Sequence, residues 1–324
     1  MTPVCLSSDY IIDYRNKCNE LIISKSLDEE KRLWQLFDAN WKYQMMSSPE
    51  SATWRGYPGQ NHRWSDLSLK ALEKGKEVDR LTLKTILSIK RSKLSVDNQL
   101  NYDLFRRNAE MSVEKQQFPG EYLVINQMEG LPRDVPSMIE MMPRSNLNDY
   151  KTILSRLSGV SDLVDQTIVL LQEGLVRGIV PPKIPLRTLA DQVLGQIHED
   201  AFASPMLTHF KSFPETVSLI DQARLKKTAE NVYLSEVKPA LNRLHVYLRD
   251  EYVPKCRDSV GRSALPNGLK WYDYMIRHYT TTSLTPDKIH EIGLIEVKRI
   301  REEMEAIKEE VGFNGGLIDF FKFL

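Results

Sequence analysis

The apolar side chains of this chain recur mostly at intervals of three and four residues, the spacing of one face of an α-helix. The longest series begins near 286 and places apolar or small side chains at 289, 293, 297, 300, 304, 307 and 311. Thr285 can cap such a helix, Pro286 suits its first position, and Gly312 suits its end. The pattern therefore predicts one long helix over 286–311.

Shorter series with the same spacing predict further helices. Ser26 to Glu29 has the form of a capping box, and a helix carrying Leu33, Leu36, Phe37 and Trp41 should follow it. The alternation at 122–125 is too short to predict a strand. The sequence therefore predicts an all-α protein with an elongated multi-helix body. The other predicted helical segments are 65–92, 95–117, 146–174, 187–203 and 214–253.

Two proline-rich stretches, 118–143 and 178–186, interrupt the helical pattern. Apolar residues are interspersed in both, so neither has the composition of a flexible linker between domains. We expect them to act as hinges or to line a cleft. The chain of 324 residues is accordingly predicted to be a single helical domain over 1–324.

Composition excludes several classes of protein. Apolar residues make up 41% and charged residues 27% of the chain, as in soluble globular proteins. Forty-four basic residues balance forty-four acidic ones, which argues against nucleic acid as a partner. The longest aliphatic run, Ile168 to Leu171, is far too short to span a membrane, and no signal peptide begins the chain. The default expectation is a soluble, cytoplasmic protein.

Motifs for metal and nucleotide chemistry are missing from the sequence. A zincin helix needs a second histidine four residues after the first. Phe202 stands at that position after His198, and Leu294 stands there after His290. Cys5, Cys18 and Cys256 are too few for a disulfide framework or a cysteine zinc site, and no glycine-rich phosphate loop occurs. We therefore predict no metal ligand and no cofactor in this chain, although distant histidines could still assemble a site.

Aromatic, basic and hydroxyl side chains concentrate between 250 and 282. Such side chains could line a polar cleft, where tyrosine and histidine donate hydrogen bonds and arginine binds a carboxylate. Equally, the aromatic residues could pack in the core while the threonines complete a turn. Both interpretations remain open from the residues alone. The candidates for substrate contacts are Tyr272, Tyr274, Arg277, His278, Thr280, Thr281 and Thr282.

The same segment resembles the DUF885 family of bacterial proteins of unknown function, and the resemblance extends over most of the chain. Its most specific part lies between 250 and 304. The residues that carry it are Asp250–Arg257, Leu265–Gly268, Trp271–Tyr272, Arg277–Thr282 and Leu284–Leu294, and, upstream, Ser48–Thr53 with Gly56, Val164–Gly178 and the prolines at 181 and 182.

This resemblance implies a fold like that of helical zinc carboxypeptidases and dipeptidases, with a peptide as substrate. The zinc motif of the family, a His-Glu-x-x-x-Pro-Gly-His-type helix, lies downstream of the part that matches 284–294. This sequence ends before that motif. No residue here is therefore carried over as a zinc ligand or as the catalytic glutamate, and zinc is expected only in a full-length relative.

The last eight residues, 317–324, include six apolar side chains. Chain ends are usually polar and frayed, so we expect this segment to pack against a missing C-terminal half or a partner helix. The sequence thus predicts the N-terminal scaffold and cleft wall of a DUF885-type zinc metallopeptidase, inactive alone. The alternative is a non-catalytic interaction protein that docks through its apolar C-terminal segment.

Overall fold

The computed structural model of the protein describes residues 9–24 and 27–324, so Cys5 and Ser26 lie outside the described residues. These residues form helices and turns without a β-strand, which confirms the all-α prediction. The α-helices are α1 Asp9–Ile23, α2 Glu29–Ser47, α3 Pro49–Trp54, α4 Leu69–Leu87, α5 Val96–Lys115, α6 Leu131–Met141, α7 Leu147–Ser158, α8 Val160–Arg177, α9 Leu189–Leu194, α10 Leu219–Val232, α11 Lys238–Tyr247, α12 Val253–Lys255, α13 Gly268–Thr280, α14 Pro286–Glu310 and α15 Leu317–Phe323.

The chain divides into two compact units, unit 1 over residues 1–266 and unit 2 over residues 267–324. Unit 1 has two apolar cores. The smaller lies among α1, α2, α4 and α5 and includes Leu21, Leu36 and Ile86. The larger is built by residues from 125 to 256, around side chains such as Ile153 and Leu244. The predicted single domain over 1–324 stays a prediction.

The predicted helices around both cores are largely confirmed, and the first correction concerns the start of α2. Asp28, and not Ser26, is the N-cap, because its extended backbone lets its carboxylate accept a hydrogen bond of 2.8 Å from the Lys31 N–H. The segments predicted at 65–92 and 95–117 correspond to α4 and α5. In 187–203 only α9 and a short 3₁₀ turn at 201–203 form.

The segment 146–174 was predicted as one helix, and this is wrong because the chain breaks at Gly159 between α7 and α8. The indole of Trp64 lies against the break, and its Nε1 donates a 2.7 Å hydrogen bond to the Arg156 carbonyl. A Cβ atom at Gly159 would lie 2.9 Å from the Trp64 Cδ1. Glycine is thus required here by close packing.

Replacing Gly159 with alanine should lower the free energy of unfolding by about 1–3 kcal/mol, because the added methyl group overpacks the site against Trp64. Gly75 in α4 is a matched control. No atom lies within 4 Å of a Cβ built there, so Gly75→Ala should raise stability by about 0.5–1 kcal/mol. Urea unfolding of both variants measures the difference. Equal effects of the two substitutions would contradict this packing.

The prediction of a helical stretch over 214–253 is confirmed from 219, and two π-turns, Tyr233–Val237 and Leu248–Tyr252, interrupt it. Pro239 and Pro254 explain both. A proline has no N–H to donate to the carbonyl four residues earlier. In each turn the residue just before the proline donates its N–H to the carbonyl five residues earlier instead.

Unit 2 contains α13, α14 and α15. The predicted long helix is confirmed as α14, where the Thr285 hydroxyl accepts a 3.2 Å hydrogen bond from the Lys288 N–H. Gly312 follows with a positive φ of 71°. No residue of α14 is buried, so its apolar face is exposed. A search of the described helices for one long and apolar enough to cross a membrane finds none.

Candidate functional site

The predicted substrate contacts lie on α13 and on the turn that follows it in unit 2. Tyr274 is buried, whereas Tyr272 and His278 are exposed and Arg277 is half-buried. The His278 ring stacks on Tyr274 with a centroid distance of 5.9 Å and an interplanar angle of 13°. Tyr279 meets His278 edge-on at 4.9 Å. The helix therefore brings together an aromatic and basic cluster of Tyr274, Arg277 and His278.

Tyr272 lies apart from this cluster. Successive residues of an α-helix are rotated by about 100°, so residues three or four apart share a face. Tyr274, Arg277 and His278 have that spacing. Tyr272 is two residues before Tyr274 and is exposed on the opposite face of α13. Tyr272 therefore stays a predicted substrate contact on a face of α13 different from that of the cluster.

The three threonines form a hydrogen-bonded turn. Thr280 Oγ1 lies 2.8 Å from both the Ile276 carbonyl and Thr282 Oγ1. Thr281 has a positive φ of 55°, which reverses the chain after α13. These contacts fit the interpretation that the threonines complete a turn. All three side chains are nevertheless exposed, so their hydroxyls remain accessible.

The polar side chains of 250–257 make their contacts within unit 1. Arg257 donates hydrogen bonds of 3.0 Å from Nε to the Val180 carbonyl and of 2.8 Å from Nη1 to the Gly261 carbonyl. The Arg257 carbonyl accepts a hydrogen bond of 2.8 Å from the Lys183 N–H. The arginine therefore ties the proline-rich stretch 178–186 to the segment after α12. It acts as a structural clamp for both.

A buried thiol and two buried phenols accompany that clamp. Cys256 is 4% exposed, and the hydroxyls of Tyr247 and Tyr252 have no hydrogen-bond partner among the described residues. Burial raises the pKa of the Cys256 thiol to about 12, although Lys183 and Arg257 oppose the shift. Burial likewise raises the pKa of Tyr247 to about 12. The three groups stay protonated and unreactive at neutral pH.

Alkaline pH should therefore destabilise the fold. Between about 9, where an unfolded thiol titrates, and about 12, the folded protein binds more protons than the unfolded chain. The free energy of unfolding then falls by up to about 1.4 kcal/mol per pH unit for this group. Cys256→Ala should make that slope shallower, as measured by urea unfolding at pH 8 to 11. An unchanged slope would contradict the assignment.

The upstream segment that resembles the family is organised by Arg156 of α7, which is fully buried. Its guanidinium donates 2.9 Å hydrogen bonds to the Thr53 hydroxyl and the Arg63 carbonyl, and a 3.2 Å bond to the Gln60 carbonyl. It lies 5.1 Å from the Trp64 ring. Burial lowers the pKa of Arg156 to about 10. One arginine thus holds α3 and the following loop on α7.

Whether this chain could bind zinc depends on which of its side chains can act as metal ligands. Zinc sites need three or four clustered histidine, cysteine or carboxylate ligands. Residues 9–24 and 27–324 contain no group of three or more such side chains placed to hold a metal ion. The described residues therefore do not fit a zinc centre.

Sequence reasoning missed Arg156 and the cavity between α4 and α5 described below. A signal for Arg156 existed, since it stands among Ile153, Leu157 and Val160 on the apolar face of the series. A basic residue in such a position is buried only when its donors are satisfied. The cavity had no comparable signal, because its lining residues come from separate helices.

Comparisons with known proteins agree with this fold. The sequence model of DUF885, "Bacterial protein of unknown function", matches residues 49–324. No curated protein matches the chain. A crystal structure of the "putative lipoprotein from Colwellia psychrerythraea" is similar, with a TM-score of 0.81 and 18% sequence identity. The match covers 90% of this chain and 53% of that one, so this chain spans about half the length of the solved protein.

Proposed function

Since the chain belongs to the DUF885 family, we propose that it forms the helical scaffold and one cleft wall of a zinc metallopeptidase-like protein of that family. Both units would then belong to one larger domain. Zinc ligands would come from outside residues 1–324, because the described residues offer no cluster for the metal. The chain alone is inactive under this proposal, and a peptide is the substrate of the complete protein.

One observation carries the scaffold proposal: the apolar face of α14 is exposed from Gly293 to Val311. The face consists of Ile289, Gly293, Val297, Ile300, Met304, Ile307 and Val311, which a rotation of about 100° per residue places within about 80° of one another. Val297 is 64% and Ile307 53% exposed. Monomers rarely leave so long an apolar stripe in water. Further helices of the complete protein would cover it.

The cleft wall would be α13, with Arg277, His278 and the Thr280–Thr282 turn facing the substrate and the buried Tyr274 supporting the His278 ring. Arg277 suits a peptide carboxylate, and histidine can donate a hydrogen bond to a developing oxyanion. Tyr272 belongs to the opposite face of the helix. The exposure of all three threonines supports this role, since core packing would have buried them.

The proposal is tested with the purified chain. After dialysis against zinc chloride and then buffer, the chain should hold no stoichiometric zinc. It should not cleave a mixture of free and end-blocked peptides, as followed by mass spectrometry. Cleavage that requires zinc and is lost when histidines of this chain are replaced would overturn the proposal.

A second candidate function is a non-catalytic interaction protein that docks through 317–324. Ile318 and Phe323 are 72% and 71% exposed there, next to the buried Phe320. Phe313 lies 5.2 Å from both Phe320 and Phe323 by ring centroids, so the segment has a defined aromatic surface. Light scattering after size-exclusion separates the two functions. A scaffold half should associate nonspecifically, whereas an evolved docking module should give one defined species.

A further inference from the structure

Two cavities of unit 1 meet between α2, α4 and α5. The larger has a volume of about 800 Å³ and is also lined by α1 and by the loop before α4. The smaller has a volume of about 510 Å³. Tyr43, Asp79 and Ser112 line both of them. The two cavities are therefore neighbours on either side of these three side chains, and together they are called the α4–α5 groove below, with two chemically different halves.

The half with the larger cavity is basic. Five basic and three acidic side chains line it, a formal charge of +2. Lys76 is neutralised by Glu121, whose Oε1 lies 2.8 Å from its Nζ. Lys70, Lys74 and Lys115 also line this half, and none of them forms an ion pair with a described carboxylate. Lys70 and Lys74 can therefore bind an anion, and Lys115 can do so while it also faces Asp79.

The half with the smaller cavity mixes aromatic and apolar side chains with amides and hydroxyls, and Asp79 is its one charged group among the described residues. Phe37, Trp41, Leu104 and Phe105 line it without any lysine or arginine. Phe37 contacts Phe105 with a centroid distance of 4.9 Å. Trp41 and Leu104 are 46% and 54% exposed. Large apolar side chains that border a cavity and face water gain free energy when an apolar ligand covers them.

Asp79 stands where the two halves meet. Its carboxylate accepts a 3.5 Å hydrogen bond from Gln116 Nε2, and Lys115 and Arg80 face it from nearby. Burial raises its pKa above the ordinary value. A negative group there would repel a second anion placed beside it. An anionic ligand must therefore place its charge away from this junction, at the lysines of the basic half.

We propose that the α4–α5 groove binds a single-chain anionic amphiphile, with a carboxylate or phosphate head at Lys70, Lys74 and Lys115. The alkyl chain passes Tyr43 and lies against Phe37, Trp41, Leu104 and Phe105. Charge complementarity fixes the direction of the ligand, because the two halves differ in polarity. This site lies in α1–α5 of unit 1. None of its lining residues belongs to α13 or α14, and the proposal does not depend on the function proposed above.

Isothermal titration of the full chain with dodecyl phosphate and with laurate, both below their micellar concentrations, tests the proposal. We expect one ligand per chain and a preference of at least 10-fold over dodecyltrimethylammonium. Inorganic phosphate alone should bind at least 10-fold more weakly than dodecyl phosphate. The difference between dodecyl phosphate and laurate shows which head group the lysines favour. Absence of binding, or equal binding of the cationic amphiphile, would overturn the proposal.

Variants locate the ligand within the groove. Replacing Lys70, Lys74 and Lys115 together with glutamine should weaken binding of dodecyl phosphate at least 10-fold. Leu104→Asn should also weaken binding at least 10-fold, because the alkyl chain of the ligand loses an apolar contact. Asp79→Asn should strengthen binding, because it removes the repulsion between the Asp79 carboxylate and the anionic head group. The matched control replaces three exposed lysines elsewhere in unit 1, Lys151, Lys211 and Lys227, with glutamine. If this control weakens binding as much as the groove variant, the assignment to the groove is wrong.

Discussion

Arg156→Met should lower the free energy of unfolding by about 3 kcal/mol or more, although the substituted side chain has a similar length. The guanidinium satisfies the Thr53 hydroxyl and the carbonyls of Gln60 and Arg63 from a fully buried position. The Arg63 carbonyl would lose both hydrogen bonds from this side chain, of 3.1 Å from Nε and 2.9 Å from Nη2, and a buried polar group left without a partner costs about 1–3 kcal/mol. Loss of the 5.1 Å contact with the Trp64 ring adds to this. Relief of the buried charge offsets only part of the cost.

Two further variants separate geometry from charge. Arg156→Lys keeps the charge but has three donors on one nitrogen, so it cannot reach acceptors on several sides. It should still lose about 2 kcal/mol. Arg187→Met is the matched control, because Arg187 is exposed and should change stability by less than about 0.5 kcal/mol. Urea midpoints measure all three. A loss under 1 kcal/mol in Arg156→Met would show that the loop is held by other contacts.

Replacing Ile300 and Ile307 together with glutamate should weaken self-association of the chain by about 100-fold and leave its stability within about 1 kcal/mol. Both isoleucines lie on the exposed apolar face of α14, at 41% and 53% exposure. An isoleucine contributes about 1.5–3 kcal/mol when association buries it fully. Both side chains are only about half exposed, so the lower end of two such losses applies, about 3 kcal/mol, which corresponds to the expected factor of about 100. Neither side chain contributes to a core of the chain itself, so folding should be little affected.

The control replaces Glu302 and Glu309, on the opposite face of α14, with glutamine. This double variant should associate as the unmodified chain does. Analytical ultracentrifugation and urea unfolding provide the two measurements. A loss of stability above 3 kcal/mol in the isoleucine variant would mean that the apolar face is already buried within the chain, contrary to our account.

Local signals in the sequence predicted much of the fold. The period of apolar residues and the Thr285 cap predicted α14 within one residue at its C-terminal end. The break at Gly159 was missed, since it depends on Trp64, which is 95 residues earlier and contacts Gly159 only in the folded chain. Pro239 and Pro254 each stand two positions after the end of a π-turn. These prolines could have indicated the interruptions, but the spacing of apolar residues alone does not take them into account.

The site was predictable only in part. The clustering of tyrosine, arginine and histidine on 272–278 follows from the sequence, and helical spacing already separates Tyr272 from Tyr274. Burial of Tyr274 depends on tertiary packing. The basic half of the α4–α5 groove gathers Arg63, Lys74 and Lys115 from three segments. A chain with a formal net charge of zero gives no indication that such charges lie together.

The central claim is that this chain is the scaffold part of a longer DUF885 protein. The most direct test reads the transcript beyond the codon for Leu324. Our account predicts an open reading frame that continues into a helix of the His-Glu-x-x-x-Pro-Gly-His type. A stop codon there, together with a stable protein of 324 residues in cells, would contradict the scaffold proposal and favour the docking function of 317–324.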